Sequence, residues 1–261
     1  MFLAPLASVA SRLVVGEGSA AREIALLRRS GGHPGLFWLG GFRSEMTGAK
    51  ASCLDQLGEE KGLAVTRFDY SGHGASGGEF TDGTTTRWLE EAEAVFALTE
   101  GPQVVVGSSM GGWIALLLAR ALQQRGAGRL AGLVLIAPAV DMTHELMLPG
   151  FTPAQHEDLH NLGYVDRPSA YGDEPYRITR TLLEDGERHR LLGAVIEPGC
   201  PVVILQGGQD PDVPAAHAVR LTTHLLHDPV TLTMIPDGDH RLSRPEDLDR
   251  LRRAILGLIE T

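Results

Sequence analysis

The chain has 261 residues, 43% of them hydrophobic, which is ample for one large or two small buried cores. Lysine and arginine number 23 against 33 acids, giving a formal charge of −10 with no basic stretch, so nucleic acid is not an expected partner. The two cysteines, Cys53 and Cys200, stand far apart in no metal-like spacing, which excludes a disulfide framework or zinc ribbon and fits a reducing, cytoplasmic setting.

Met1 to Ala10 are apolar but carry no basic leader, and no run approaches the roughly 18 apolar residues of a membrane span, so this segment reads as a ragged terminus. Beyond it, short β-branched or apolar runs alternate with longer helical patterns. Strands are expected at Arg12 to Val15, Glu23 to Arg29, Leu36 to Leu39, Ala64 to Phe68, Gln103 to Val106, Gly132 to Ile136, Val202 to Gln206 and Thr231 to Ile235. Helices are expected at Met46 to Lys61, Thr85 to Thr99, Met110 to Gln124, Ala215 to Leu226 and Pro245 to Ile259. The first two strands are close enough to form an antiparallel start. The remaining rhythm implies a mainly parallel sheet covered by helices on both faces, that is, one α/β domain.

From Ala139 to Gly199 the rhythm breaks into mixed helical and loop text rich in Leu146, Met147, Phe151, Leu162, Tyr164, Tyr171, Tyr176 and Ile178. We read residues 139–199 as a helical cap inserted into a core made of 1–138 and 200–261. A lid there would supply much of a substrate pocket; a peripheral helical excursion is the plainer alternative.

The chemistry centres on Gly107-Ser108-Ser109-Met110-Gly111-Gly112 between a triple valine and an apolar helix. Only Ser109 satisfies G-x-S-x-G, since Ser108 would need Val106 and Met110 to be glycine. A strand, abrupt turn and helix make a nucleophile elbow, which lifts the serine hydroxyl out of the sheet. The glycines are there because a turn this tight leaves no room for side chains. A serine needs a base, and the base needs an acid to hold its tautomer. Asp210 follows the seventh strand in Gly207-Gly208-Gln209-Asp210-Pro211-Asp212, and His240 follows the last strand in Asp237-Gly238-Asp239-His240. Asp212 is a rival acid, better suited to capping the next helix. Asp237 and Asp239 read as turn or supporting residues. The oxyanion would be met by the backbone amides of Met110, at the helix start, and Phe42, in the Gly40-Gly41-Phe42 loop. His73, in Asp69-Tyr70-Ser71-Gly72-His73-Gly74, precedes the nucleophile and reads as a structural loop bordering the site. No cofactor or metal is called for.

These motifs, with Leu39-Gly40-Gly41-Phe42, Gln206-Gly207-Gly208-Gln209-Asp210 and Asp239-His240, resemble those of the α/β-hydrolases. More narrowly, Gly101-Pro102-Gln103, the elbow with Trp113, Met46-Thr47-Gly48-Ala49-Lys50-Ala51 and Arg167-Pro168-Ser169-Ala170-Tyr171 are similar to the subgroup of α/β-hydrolase-domain proteins that holds a mitochondrial palmitoyl-protein thioesterase and acyl-glucuronide esterase, and its bacterial relatives. The resemblance implies an α/β-hydrolase fold with an eight-stranded sheet, and hydrolysis of acyl esters or thioesters by Ser109, Asp210 and His240. The subgroup often has His-Gly where this chain has Gly40-Gly41.

Two other readings compete. One is a non-catalytic ligand binder of the same fold. The other rests on His156-Glu157-Asp158-Leu159-His160, an H-E-x-x-H pattern of zinc proteases, on a helix that Thr152-Pro153 would start and Gly163 would stop. The sole downstream methionine, Met234, lies in an expected strand rather than in the turn such proteases use.

Overall fold

A computed structural model describes residues 7–168 and 175–260; Ser169 to Tyr171 of the cap motif and the first six residues of the expected ragged terminus lie outside them. The main sheet has eight strands: β1 (Val9–Val15), β2 (Arg22–Arg29), β3 (Gly32–Leu39), β4 (Leu63–Phe68), β5 (Gln103–Ser108), β6 (Leu130–Ile136), β9 (Val202–Gly207) and β10 (Val230–Ile235). Their spatial order is β1-β2-β4-β3-β5-β6-β9-β10. β1 and β2 pair antiparallel, as do β2 and β4, and every later pairing is parallel. The eight expected strands are therefore all present, and the antiparallel start is as expected.

Alternation along the central strands divides the core in two. Phe37, Leu39, Val105, Leu133 and Leu135 face one side, where α2 (Thr85–Phe96) and α3 (Met110–Gln124) bring Trp88, Phe96 and Trp113. Leu36, Trp38, Val104, Val106, Val134 and Ile136 face the other, against α1 (Ala49–Lys61) and α7 (Pro245–Ile259), which add Leu54, Leu57, Leu251 and Ile255. Strands buried on both faces cannot alternate polar with apolar, which is why β5 reads as an unbroken valine run. α3 is apolar on every side from Met110 to Ala119, as a helix at the centre of a layered domain must be. The remaining core helix, α6 (Ala215–Thr222), joins β9 to β10.

Between β6 and β9 the chain forms a π turn (Thr143–Met147), α4 (Pro153–Leu162), an antiparallel pair of β7 (Tyr164–Arg167) and β8 (Tyr176–Thr179), and α5 (Arg180–Glu187). The two-stranded ribbon is a departure from the helix-and-loop reading: four-residue strands are too short to show a period of two. α4 does begin and end as expected, with a capping box between Thr152 and Gln155, Pro153 in the first turn and Gly163 left-handed at its end. This segment lies over α3, since the Trp113 indole donates to the His189 carbonyl at 3.2 Å.

Candidate active site

Ser109 sits at the end of β5 with φ 54° and ψ −117°, a backbone conformation that β-carbon-bearing residues rarely adopt. Its flanking glycines are sterically required. A Cβ on Gly107 would stand 2.3 Å from the Gly111 carbonyl oxygen, and one on Gly111 would stand 2.0 Å from that of Leu39. The elbow is thus clamped between its own helix and the end of β3, and the serine is half-buried while its neighbours Ser108 and Met110 are buried.

Asp210 and His240 reach this serine from β9 and β10. His240 Nε2 lies 3.1 Å from Ser109 Oγ, and His240 Nδ1 lies 2.8 Å from Asp210 Oδ2. Because the carboxylate can only accept, Nδ1 carries the proton and Nε2 presents its lone pair to the serine hydroxyl. The Asp210 side chain is fully buried, and its other oxygen accepts the backbone amides of Asp212 (2.9 Å) and Val213 (2.8 Å). Asp212 is therefore a donor to the acid through its amide, and Asp210 is the carboxylate that holds the imidazole. Nor does Asp212 cap the next helix; Pro214 occupies that position. Donor atoms of Asp210, Asp212 and His240 cluster within 4.8 Å, but Nδ1, the imidazole atom beside the acids, is committed to Asp210.

The acid and base loops are built against each other. A Cβ on Gly207 would meet the Gly238 carbonyl oxygen at 2.5 Å, while the Gln209 amide donates to that same oxygen at 2.9 Å. Asp239 accepts the Leu242 amide at 2.9 Å and Asp237 pairs with Arg244 at 2.7 Å, so both are turn and supporting residues. Sequence reasoning missed Gln206, whose buried amide donates to Asp210 Oδ2 (3.3 Å) and to the Val213 carbonyl (3.0 Å), bracing the turn that carries the acid. Its place as the last apolar-flanked residue of a buried strand was the available signal.

The loop after β3 lies directly beside the nucleophile: a Cβ on Gly41 would stand 3.3 Å from Ser109 Cβ. Phe42 follows, its ring edge-on to Phe80 (4.8 Å), Trp88 (5.9 Å) and Tyr176 of β8 (5.9 Å). Met110 opens α3, where first-turn amides have no acceptor within the helix. His73 is buried in the same aromatic cluster, bonded through Nδ1 to the Ser71 carbonyl at 3.0 Å, and burial lowers its pKa to about 4. It is a neutral packing group, as its early position in the chain implies.

A groove of about 730 Å³ runs just outside Phe42, lined by Arg43, Glu45, Phe80, Tyr176 and Arg177 among others, and no triad residue lines it. His156, Glu157 and His160 are exposed on α4, and no third metal-capable side chain joins the two histidines among the described residues. Asp166, the next acid beyond this helix, is paired with Arg177. Among the described residues no helix is long and apolar enough to cross a membrane.

The model of the alpha/beta hydrolase family matches residues 29–251. Bovine mitochondrial palmitoyl-protein thioesterase ABHD10 is 33% identical over 242 residues, 91% of this chain and 77% of that protein, and the human protein is 30% identical over the same shares. Among solved structures, an Agrobacterium vitis protein shares 49% identity and a TM-score of 0.94 over 97% of this chain and 99% of its own. Mouse alpha/beta hydrolase domain-containing protein 10 gives 30% identity and 0.85 over 96% and 99%.

Proposed function

Because the chain belongs to the α/β-hydrolase family, we propose that it is a serine hydrolase cleaving carboxylic esters or acyl thioesters through an acyl-enzyme. The observation that carries this reading is the unbroken line from Asp210 through His240 to the Ser109 hydroxyl, with contacts of 2.8 and 3.1 Å.

In this mechanism His240 Nε2 takes the Ser109 proton as Oγ attacks the acyl carbon, and Asp210 stabilises the imidazolium that results. The charge moving onto the carbonyl oxygen is met by the Met110 and Phe42 amides, each donor contributing about 3 to 4 kcal/mol. The imidazolium then protonates the departing alkoxide or thiolate. Water, deprotonated by the same imidazole, releases the acid and restores the serine. In this reading residues 139–199 form a lid over the 1–138 and 200–261 core, supported by Tyr176 packing on the Phe42 ring. The names of the ABHD10 relatives favour thioesters of long acyl chains within this class.

The test is labelling with a fluorophosphonate probe together with turnover of matched ester and thioester series. Ser109→Ala should abolish labelling and lower kcat by on the order of 10⁵- to 10⁶-fold. An unlabelled parent protein without hydrolytic activity would point to a ligand binder instead.

A further inference from the structure

Lys50 lies on α1, far in sequence from the base, yet its ammonium Nζ donates to the main-chain carbonyl of Arg241, the residue directly after His240, and lies 3.4 Å from Ser243 Oγ. Ser243 Oγ itself donates to the Arg241 carbonyl at 3.0 Å. That carbonyl is one end of a strained turn: Leu242 has φ 43°, its amide is held by Asp239, and its side chain is buried in the half of the core covered by α1 and α7. The Arg241–Leu242 peptide, one residue beyond His240, is therefore gripped by a cation from a different layer of the molecule. On the other side the imidazole is held at Nδ1 by Asp210 and faces Ser109 through Nε2.

We propose that Lys50 is a positioning residue for the base, clamping the Arg241 carbonyl so that His240 Nε2 stays within proton-transfer reach of Ser109. The inference rests on the serine-hydrolase reading above. A hydrogen-bonded imidazole could still rotate about its link to Asp210 if its backbone drifted; the ammonium removes that freedom. A displacement of about 1 Å at a reacting group can lower the rate about 10²-fold. The clamp is also titratable: desolvation lowers the pKa of half-buried Lys50 to about 8, opposed by Asp239 on the loop and Asp247 on α7, and reinforced by Arg241. Loss of the proton weakens a charge-assisted bond to an ordinary one. The clamp therefore loosens as pH rises through about 8.

The experiment is the pH profile of kcat and KM for the parent, Lys50→Met and Lys50→Arg on one p-nitrophenyl ester, with Ser109→Ala in the same series. Lys50→Met should lower kcat about 10²-fold at neutral pH while KM changes less than about 3-fold. Lys50→Arg should recover most of that loss and should also abolish the parent's decline in kcat above pH 8, because a guanidinium stays charged throughout. Parental kcat in Lys50→Met, or an alkaline limb that survives in Lys50→Arg, overturns the proposal. Should Lys50→Met fail to fold, the limb in Lys50→Arg decides alone. A fully active Ser109→Ala would instead overturn the serine mechanism itself, so the two failures are distinguishable.

Discussion

Replacing Asp210 by asparagine tests the acid at the level of single hydrogen atoms. Oδ1 accepts two backbone amides, from Asp212 and Val213, so the asparagine oxygen is forced to stay there. The new NH₂ then occupies the place of Oδ2, where it faces Gln206 Nε2, another donor, and His240 Nδ1. To accept from that NH₂, Nδ1 must give up its proton to Nε2, and an Nε2–H cannot receive the hydrogen of Ser109. The expected cost is about 10⁴ in kcat, or about 5 kcal/mol of transition-state stabilisation, with little change in KM. The assay is steady-state hydrolysis of a p-nitrophenyl ester from pH 6 to 10, with the thermal midpoint measured alongside to confirm folding. Partial recovery is expected at high pH, where hydroxide can take the Ser109 proton that the mis-tautomerised imidazole cannot accept. A folded Asp210→Asn protein with kcat within tenfold of the parent at pH 7 would refute the assigned tautomer and with it the role of the acid.

Gly107→Ala should be severely destabilising, by about 3 kcal/mol or more, because the added methyl meets backbone 2.3 Å away and neither partner is a flexible side chain; a thermal melt within 2 °C of the parent (about 1 kcal/mol) would show that the elbow can relax around the methyl. Burial holds the His73 pKa at about 4 against an ordinary 6.5, so between those values the unfolded chain binds a proton that the folded chain does not. Stability supplied by the neutral ring is then complete above pH 6.5 and is lost as pH falls toward 4, by on the order of 3 kcal/mol, and His73→Leu should flatten that acid slope in urea titrations. Identical slopes in parent and variant would place the acid sensitivity elsewhere.

The fold was legible because its signals are local. A short β-branched valine run ending in glycine, as at Val104 to Gly107, reads as a doubly covered strand entering a tight turn, and the Ser, Asp, His order placed each group after a strand of its own. Boundaries were less legible where tertiary contacts set them. α1 begins at Ala49 rather than Met46; Met46 is instead pinned to the end of β4, its amide donating to buried Asp69 at 2.6 Å and its carbonyl accepting from Arg67 at 3.1 Å. α2 ends at Phe96 rather than Thr99, and α6 at Thr222 rather than Leu226, both in tightened turns. The order that inserts β3 between β4 and β5 leaves no trace in residue spacing. The same is true of the contact from Lys50 to the far end of the chain, which depends on α1 and the β10 loop meeting across the sheet edge.

The three groups of the site are not equally coupled. Asp210 and His240 stand at the ends of adjacent hydrogen-bonded strands, β9 and β10, and their turns share the Gly238 carbonyl; Ser109 ends β5, two places away, with β6 between. A shear of the sheet at the β6–β9 seam would leave the carboxylate and imidazole as a couple while lengthening the 3.1 Å gap to the hydroxyl. The proton-transfer step is thus the first casualty of any slippage in the sheet, and the orientation of the ring is the last.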